Sequence, residues 1–489
     1  MTPEGLILGA IAVPLAGAAL IAAAHRMPDL REGVTLVTAA ALFLLVAGLA
    51  PEVLAGGRPG VHVATVMPGI DLAFRVEPLG MLFALVASGL WIVNSLYSIG
   101  YMRGNREAHQ TRYYVCFAAA LASTMGIAFA GNLFTLFLFY EALTLVTYPL
   151  VTHHGTPEAI RAGRLYLALL IGSSIALLLV AIVWTWSIAG TIEFAPGGIL
   201  GGHAPNTTVG LLLALYVFGI GKAAVMPVHR WLPAAMVAPT PVSALLHAVA
   251  VVKAGVFAVL KVVVYVFGVD AIAGLKSVDW LPFISGFTII AASVVALRSD
   301  NLKRRLAYST VSQLSYVVLA AALLTPLSVI GAALHIATHA LGKITLFFCA
   351  GAIYTAAHKT EVSELDGIGR RMPWTMAAFT VGALSLIGVP PAAGFVSKWF
   401  IISGALQAGH HVAVAVFVAS TLLNAAYFLP IVHAAFFRRG PEGPHAAHGE
   451  APWPMVVALT ITAGATLGLF FAADLPLALA RQLVSVPAG

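Results

Sequence analysis

The sequence predicts an all-α integral membrane protein, and three observations carry that prediction. Of its 489 residues, 60% are hydrophobic and only 9% charged, against about 25% charged in an ordinary soluble domain. The mean hydropathy is +0.96. The apolar residues also gather into runs of about 17–25, the length of helix that crosses a bilayer core.

Fourteen such runs follow one another, near 5–24, 33–50, 79–99, 113–130, 132–151, 165–189, 208–228, 241–267, 281–297, 306–324, 328–356, 375–402, 411–435 and 453–473. The first has no Lys or Arg before Arg26, so it lacks the basic flank of a cleavable signal and is expected to stay as a membrane helix. The turn dipeptide Gly131-Asn132 separates the fourth run from the fifth. The seventh carries Gly219, Gly221 and Pro227 around Lys222, and the twelfth carries GVPPAAG, Gly388 to Gly394, just before Lys398. Proline removes a helix donor and clashes with the preceding turn, so both spans are predicted to break beside their lysine. Matching breaks in two halves point to an ion pathway built on inverted repeats, here spans 4–8 and 9–13. Two unrelated kinks would leave the same marks.

Charge tests this order of spans. With both termini on the outer (periplasmic) side of a bacterial inner membrane, the loops at 25–32, 100–112, 152–164, 229–240, 298–305, 357–374 and 436–452 are cytoplasmic and hold 17 of the 26 Lys and Arg. The outer segments hold four, Arg58, Arg75, Lys276 and Arg481. That asymmetry is the positive-inside pattern. The net charge of +7 is therefore an orientation signal, spread over short loops, and gives no basic patch for nucleic acid.

The remaining five lysines stand inside spans: Lys222, Lys253, Lys261, Lys343 and Lys398. A lysine at the centre of a membrane helix costs about 2.5–3.5 kcal/mol on insertion scales, so it ordinarily faces a wet cavity or a counter-charge. Glu141, in the fifth span, is the one acid that does not fall in a loop or at a span end. It is read as a partner for an intramembrane lysine, the alternative being a static packing carboxylate. His247 and Lys253 share the eighth span, with Lys261 two turns beyond Lys253 on nearly the same face. Lys261 either snorkels to a membrane surface or joins a pathway. His335, His339 and Lys343 recur at i, i+4 and i+8 on the eleventh span, one polar stripe on an apolar helix. Three titratable groups on one face favour a proton relay over satisfied core histidines, and zinc is disfavoured because no carboxylate accompanies the histidine pair.

Burial lowers a lysine from about 10.4 by as much as 3–5 units, and a nearby carboxylate raises it again. Moving a carboxylate or water near such a lysine would load or release a proton. Walker, GxSxG and Rossmann motifs are all missing. Cys116 and Cys349 lie far apart in apolar runs and form no metal or disulfide framework. Neither a redox cofactor nor a metal is expected on this chain.

Four stretches carry a family resemblance: NLFTLFLFYEALTLVTYPL, PVHRWLPAAMVAPTPVSALLHAVAVVKAG, NLKRRLAYSTVSQLSY and GVPPAAGFVSKWFIISGAL. From about Tyr113 to Phe437, in order, the chain resembles the antiporter-like membrane subunits shared by respiratory complex I, Mrp-type cation/proton antiporters and membrane-bound hydrogenases. The resemblance implies fourteen helices with two inverted five-helix repeats, docked beside partner membrane subunits. The segments are then an N-terminal 1–112, repeats at 113–267 and 281–435, and a C-terminal helix and tail at 436–489. It places Glu141 at the fifth-helix glutamate, Lys222 at the broken seventh-helix lysine, Lys253 at the central eighth-helix lysine and Lys398 at the twelfth-helix ionisable position. The eleventh-span groups match the polar link between half-channels. The closing stretches SKWFIISGALQAG and LLNAAYFLPIVHAAFF, and the end of the chain soon after the fourteenth span, resemble the D-type chain of Mrp antiporters most. The implied function is proton translocation coupled to Na⁺ in such an antiporter, or pumping in the membrane arm of a complex I-like enzyme or hydrogenase. A lone organic-solute transporter is disfavoured for want of a polar binding patch. Ala234-Ala235 stand where many relatives carry an acid after Trp-Leu-Pro, which leaves the cytoplasmic mouth of the first half-channel unassigned.

Overall fold

Short polar residues and prolines open the helices. Thr2, Asn132, Thr156, Asn301 and Thr325 each turn a side-chain oxygen onto a free amide of the first helical turn. Prolines 3, 28, 78, 157, 326 and 373 occupy first-turn positions, where the missing N–H has no helical partner to lose. The computed structural model describes residues 1–440 and 449–484, with the His247 side chain also outside the described set.

In chain order the principal helices are α1 Pro3–Ala23, α2 Pro28–Leu54, α3 Pro78–Gly104, α4 Gln110–Ala128 and α5 Leu133–Val151. Then come α6 Pro157–Ala189, α7 Asn206–Gly219, α8 Val251–Val262, α9 Trp280–Arg298, α10 Leu302–Ala322 and α11 Pro326–Ala357. The chain closes with α12 Pro373–Ile387, α13 Gly394–Gln407, α14 His411–Phe437, α15 Trp453–Phe471 and a short α16 Asp474–Arg481. Among the described residues nine helices are long and apolar enough to cross a membrane. A helix, or a helix in pieces, stands at each predicted apolar run.

The two predicted breaks are present. α7 stops at Gly219, well short of the expected 228, and an irregular stretch with single turns runs on to residue 239. α12 and α13 are the two halves of the twelfth run, parted by Gly388 to Ala393. The eighth run is also interrupted, which the sequence did not announce. It begins as a short helix, Thr240–Ala244, passes through a wide π-type turn at Leu245–Val249 and restarts as α8 beyond Ala250. Such turns free backbone groups and recur at functional positions.

The expectation of a purely helical chain needs one correction. Gly60–Met67 (β1) and Ile70–Arg75 (β2) pair antiparallel between α2 and α3. Alternating Val, His and Thr with Pro68-Gly69 at the tip is a hairpin pattern, and Gly69 supplies the positive φ of +79°. The segment is too short and too polar to register as a span.

α11 lies at the centre. It packs against α10, α12, α13, α15 and α3, is almost wholly buried over its apolar window, and with 32 residues is about 48 Å long at 1.5 Å per residue. The connecting segments gather at two ends. Glu107, His154, Val237, Lys303 and Thr360 line one crevice of about 220 Å³, whereas Arg58, Gly197, Asp270 and Gln482 line another of about 260 Å³. Thr240 lies on the first and Tyr265 on the second, so the eighth run extends from one to the other.

Candidate functional site

The break after α7 delivers Lys222 into the interior. Its side chain is fully buried, and Nζ donates to the Tyr140 carbonyl at 2.7 Å and to Thr144 Oγ1 at 2.6 Å, with the Tyr140 ring 3.2 Å away. The backbone groups that the break frees find side-chain partners, as membrane burial demands. Lys222 N donates to the Tyr140 hydroxyl, Trp231 Nε1 donates to the Gly221 carbonyl and Met226 N donates to Thr288 Oγ1. α8 rests directly on this turn. A Cβ on Gly255 would lie 2.2 Å from Ala223 N and 2.3 Å from the Lys222 carbonyl carbon, so only glycine permits the approach.

From α8 the polar contacts run onward. Lys253 Nζ meets His339 Nδ1 at 2.6 Å. The His339 and His335 rings stand 5.7 Å apart on α11, and His335 Nδ1 bonds Ser397 Oγ at 2.9 Å. Ser397 precedes Lys398 on α13, and the Lys398 ammonium donates back to the last carbonyls of α12, Leu386 at 2.7 Å and Ile387 at 3.0 Å. A cation at the carbonyl end of a half-helix meets the negative pole of that helix. Tyr316 bridges the same groups, its ring stacked on His335 and 4.9 Å from Lys398 Nζ. Lys253, His335, His339 and Lys398 are all buried. The expected stripe thus divides, because Lys343 turns to α10, donating to Ser309 Oγ at 2.5 Å and the Leu306 carbonyl at 3.3 Å. The His247 side chain lies outside the described residues.

Two expectations about counter-charges change. Glu141 makes no ion pair within 4 Å among the described residues, and its Oε1 is buried without a hydrogen bond. The direct partners of the Lys222 ammonium are Tyr140 and Thr144. Nor is Glu141 the sole acid available: Glu77 and Glu32 are 3% and 4% exposed. Glu77 Oε2 stands 3.1 Å from Lys261 Nζ, and Lys261, fully buried, does not snorkel. Glu77 escaped notice because it immediately precedes α3, at a span end. Ser397, Ser309, Thr144 and Tyr316 were missed because hydroxyls at helical spacing carry no signal of their own.

The crevice between residues 107 and 360 has its own titratable groups. His154 Nε2 lies 3.3 Å from Glu107 Oε2, and that carboxylate holds the imidazole above the ordinary histidine range. His153 beside it is pushed down to about 4 by burial. Lys303 Nζ donates to the Ala238 carbonyl on the crevice wall.

Helices broken at three places, with buried lysines and histidines linked between them, define a multi-pass membrane protein built around an interior polar line. The chain belongs to the NADH:quinone oxidoreductase/Mrp antiporter transmembrane family, whose profile matches residues 130–424. It is 35% identical over 430 residues to the N-type chain of the NADH-quinone oxidoreductase of Desulforudis audaxviator, covering 86% of this chain and 83% of the relative. It is 27% identical over 453 residues to the D-type chain of the Na(+)/H(+) antiporter of Alkalihalophilus pseudofirmus, covering 91% and 90%. Among solved structures, a chain of the Mrp complex from Dietzia sp. DQ12-45-1b superimposes with a TM-score of 0.88 at 23% identity, over 99% of this chain and 97% of that one.

Proposed function

We propose that this chain is the proton-translocating subunit of a multi-subunit Mrp-type Na⁺/H⁺ antiporter. Fourteen spans, repeats at 113–267 and 281–435 and both termini on the outer side complete the reading. The carrying observation is the contact series Lys253–His339–His335–Ser397–Lys398, which joins the half of the chain broken at Lys222 to the half broken at Gly388. Lys222, with Glu141 biasing its charge, takes up a proton from the cytoplasmic side. Lys253 and His339 pass it between halves, and Lys398 serves the far exit. Lys343 tunes the second half from α11, where it donates to Ser309 and Leu306 of α10, and His247 on the eighth run is a further member of the pathway. The 27% identity to the D-type chain of a Na(+)/H(+) antiporter, over 90% of that relative, supports the parent assembly.

The test is cation/proton exchange in membrane vesicles holding the assembled complex. Lys222→Ala and Glu141→Ala should each abolish exchange while the subunits still copurify. Full exchange by either assembled variant would sink the scheme.

A second reading keeps the relay and changes the engine. The 35% identity to a chain of a quinone oxidoreductase favours a pumping arm of a complex I-like enzyme or hydrogenase. Copurified partners decide between them: small membrane subunits alone favour the antiporter, and quinone-site or hydrogenase subunits favour the enzyme.

A further inference from the structure

Lys261 and Glu77 form a buried pair at the end of α8 remote from the Lys222 break. The ammonium is also 2.8 Å from the Ala130 carbonyl and is walled by the rings of Phe194 at 4.4 Å and Phe257 at 5.6 Å. On the far side stands Tyr265, its ring 5.9 Å from Lys261 Nζ. Tyr265 and Val264 in turn line the cavity of about 260 Å³, whose rim carries Arg58 and Asp270. At about 30 Å³ per molecule that volume holds several waters. The pair therefore sits one side chain from a cavity large enough for water, and Lys261 lies about 12 Å along the helix from Lys253 at 1.5 Å per residue.

A static role has to be weighed first. Glu77 is the residue before the first turn of α3, where the helix N-terminus favours a carboxylate, and the pair ties α3 to α8. Yet replacing a buried ion pair by apolar groups of similar volume is often neutral or stabilising. Strength alone does not account for a lysine and a glutamate buried here.

We infer that Glu77 and Lys261 form a second proton outlet, releasing protons from the first half of the chain into the cavity lined by Val264 and Tyr265. The inference rests on the proton-translocating reading above. The Lys261 ammonium gives a proton to the Glu77 carboxylate, breaking an N–H bond and forming an O–H bond, which leaves a neutral amine beside a neutral acid. Glu77 then yields that proton to cavity water and regains its charge. The amine is reloaded from the first half of the line, where Lys253 is the other ammonium of α8. Arg58, on the rim of that cavity, is the positive charge toward which Glu77 returns to carboxylate once the proton has left.

The experiment uses the full complex in vesicles. Glu77→Gln, which keeps shape and hydrogen bonding but cannot carry the proton, should slow exchange at least tenfold, and Glu77→Asp should restore part of the rate. The double variant Glu77→Gln, Lys261→Gln separates the roles: a merely structural pair regains the rate when two neutral amides face each other, whereas an outlet stays slow. Wild-type exchange in Glu77→Gln, or recovery in the double variant, overturns the outlet. Should these variants fail to assemble, Val264→Cys supplies the second measurement. A membrane-impermeant thiol reagent should label it through the cavity and slow exchange, and labelling without slowing overturns the proposal. The Lys222→Ala result judges the underlying reading independently, because loss of exchange there with full exchange in Glu77→Gln removes the outlet alone.

Discussion

At the scale of single residues the interior is decided by small differences in neighbours. His153 and His154 are adjacent and share Glu107, yet burial pushes one down to about 4 and the carboxylate holds the other up. A histidine raised in the folded state stabilises fully below its unfolded value, near 6.5, and the contribution fades as pH rises through the folded value. Hence His154→Ala should lower the melting temperature of the purified complex at pH 6 and leave it unchanged at pH 9; a loss as large at pH 9 would assign the effect to packing. The His154 side chain is 39% exposed, so the effect belongs among modest, screened surface interactions. Gly255 is the opposite case, where no charge is involved. Its missing Cβ would collide with backbone at Ala223, and overpacking of that kind costs about 1–3 kcal/mol. Thermal unfolding should therefore show Gly255→Ala clearly destabilised, while Gly33→Ala, with nothing within 4 Å, stays near wild type. The lysines themselves were legible in the sequence, since charge inside an apolar run stands out. Their partners were not: Lys253 and His339 are 86 positions apart, and the acid that meets Lys261 lies outside any span, where acids are ordinary.

At the scale of elements, broken helices hold buried polar side chains because they expose carbonyls and amides that a lipid-embedded chain must satisfy. Proline and glycine marked both lysine-bearing breaks in advance. The extra break in the eighth run left no such mark at Ala250, and the β1–β2 hairpin was hidden because a scan for long apolar runs passes over short alternating strands. Lys398 shows what a break requires. Its ammonium covers the carbonyls of Leu386 and Ile387, and Gln313 and Asn424 also donate to Leu386, at 3.3 and 3.4 Å. Lys398→Met would leave Ile387 without this charged donor and Leu386 with two weak ones, at a cost of about 1–3 kcal/mol for an unsatisfied buried group. Denaturation of the purified complex should register that loss, and Asn424→Ala should add less. An equal or higher stability for Lys398→Met would mean that burying the charge costs as much as its hydrogen bonds return.

At the scale of the whole molecule, two sets of loops alternate along the chain and meet at separate crevices. Glu107, His154, Lys303 and Thr360 come from the set rich in Lys and Arg, and Arg58, Gly197 and Asp270 from the poor set. That grouping is what alternate crossing of a bilayer produces, and the sequence anticipated it because basic residues mark one side of a membrane more firmly than hydropathy marks the ends of a helix. Between the crevices the outer faces of the helices are apolar. Phe283 and Phe287 on α9 are 66% and 61% exposed, and Leu422 on α14 is 67%, as suits surfaces that meet lipid or neighbouring subunits. The grouping makes sidedness measurable. A cysteine at Lys359, beside the first crevice, should react with a membrane-impermeant reagent only in inside-out vesicles, and a cysteine at Asp270, beside the second, only in right-side-out vesicles. Native Cys116 and Cys349 supply the background, which is low because Cys349 is buried and Cys116 partly so. Labelling of both positions from one side would break the alternation and with it any route that takes up protons at one crevice and releases them at the other. Labelling of each from the side opposite to that expected would preserve the route and reverse its direction, since the direction rests on loop charge alone while the route rests on the buried contacts from Lys253 to Lys398.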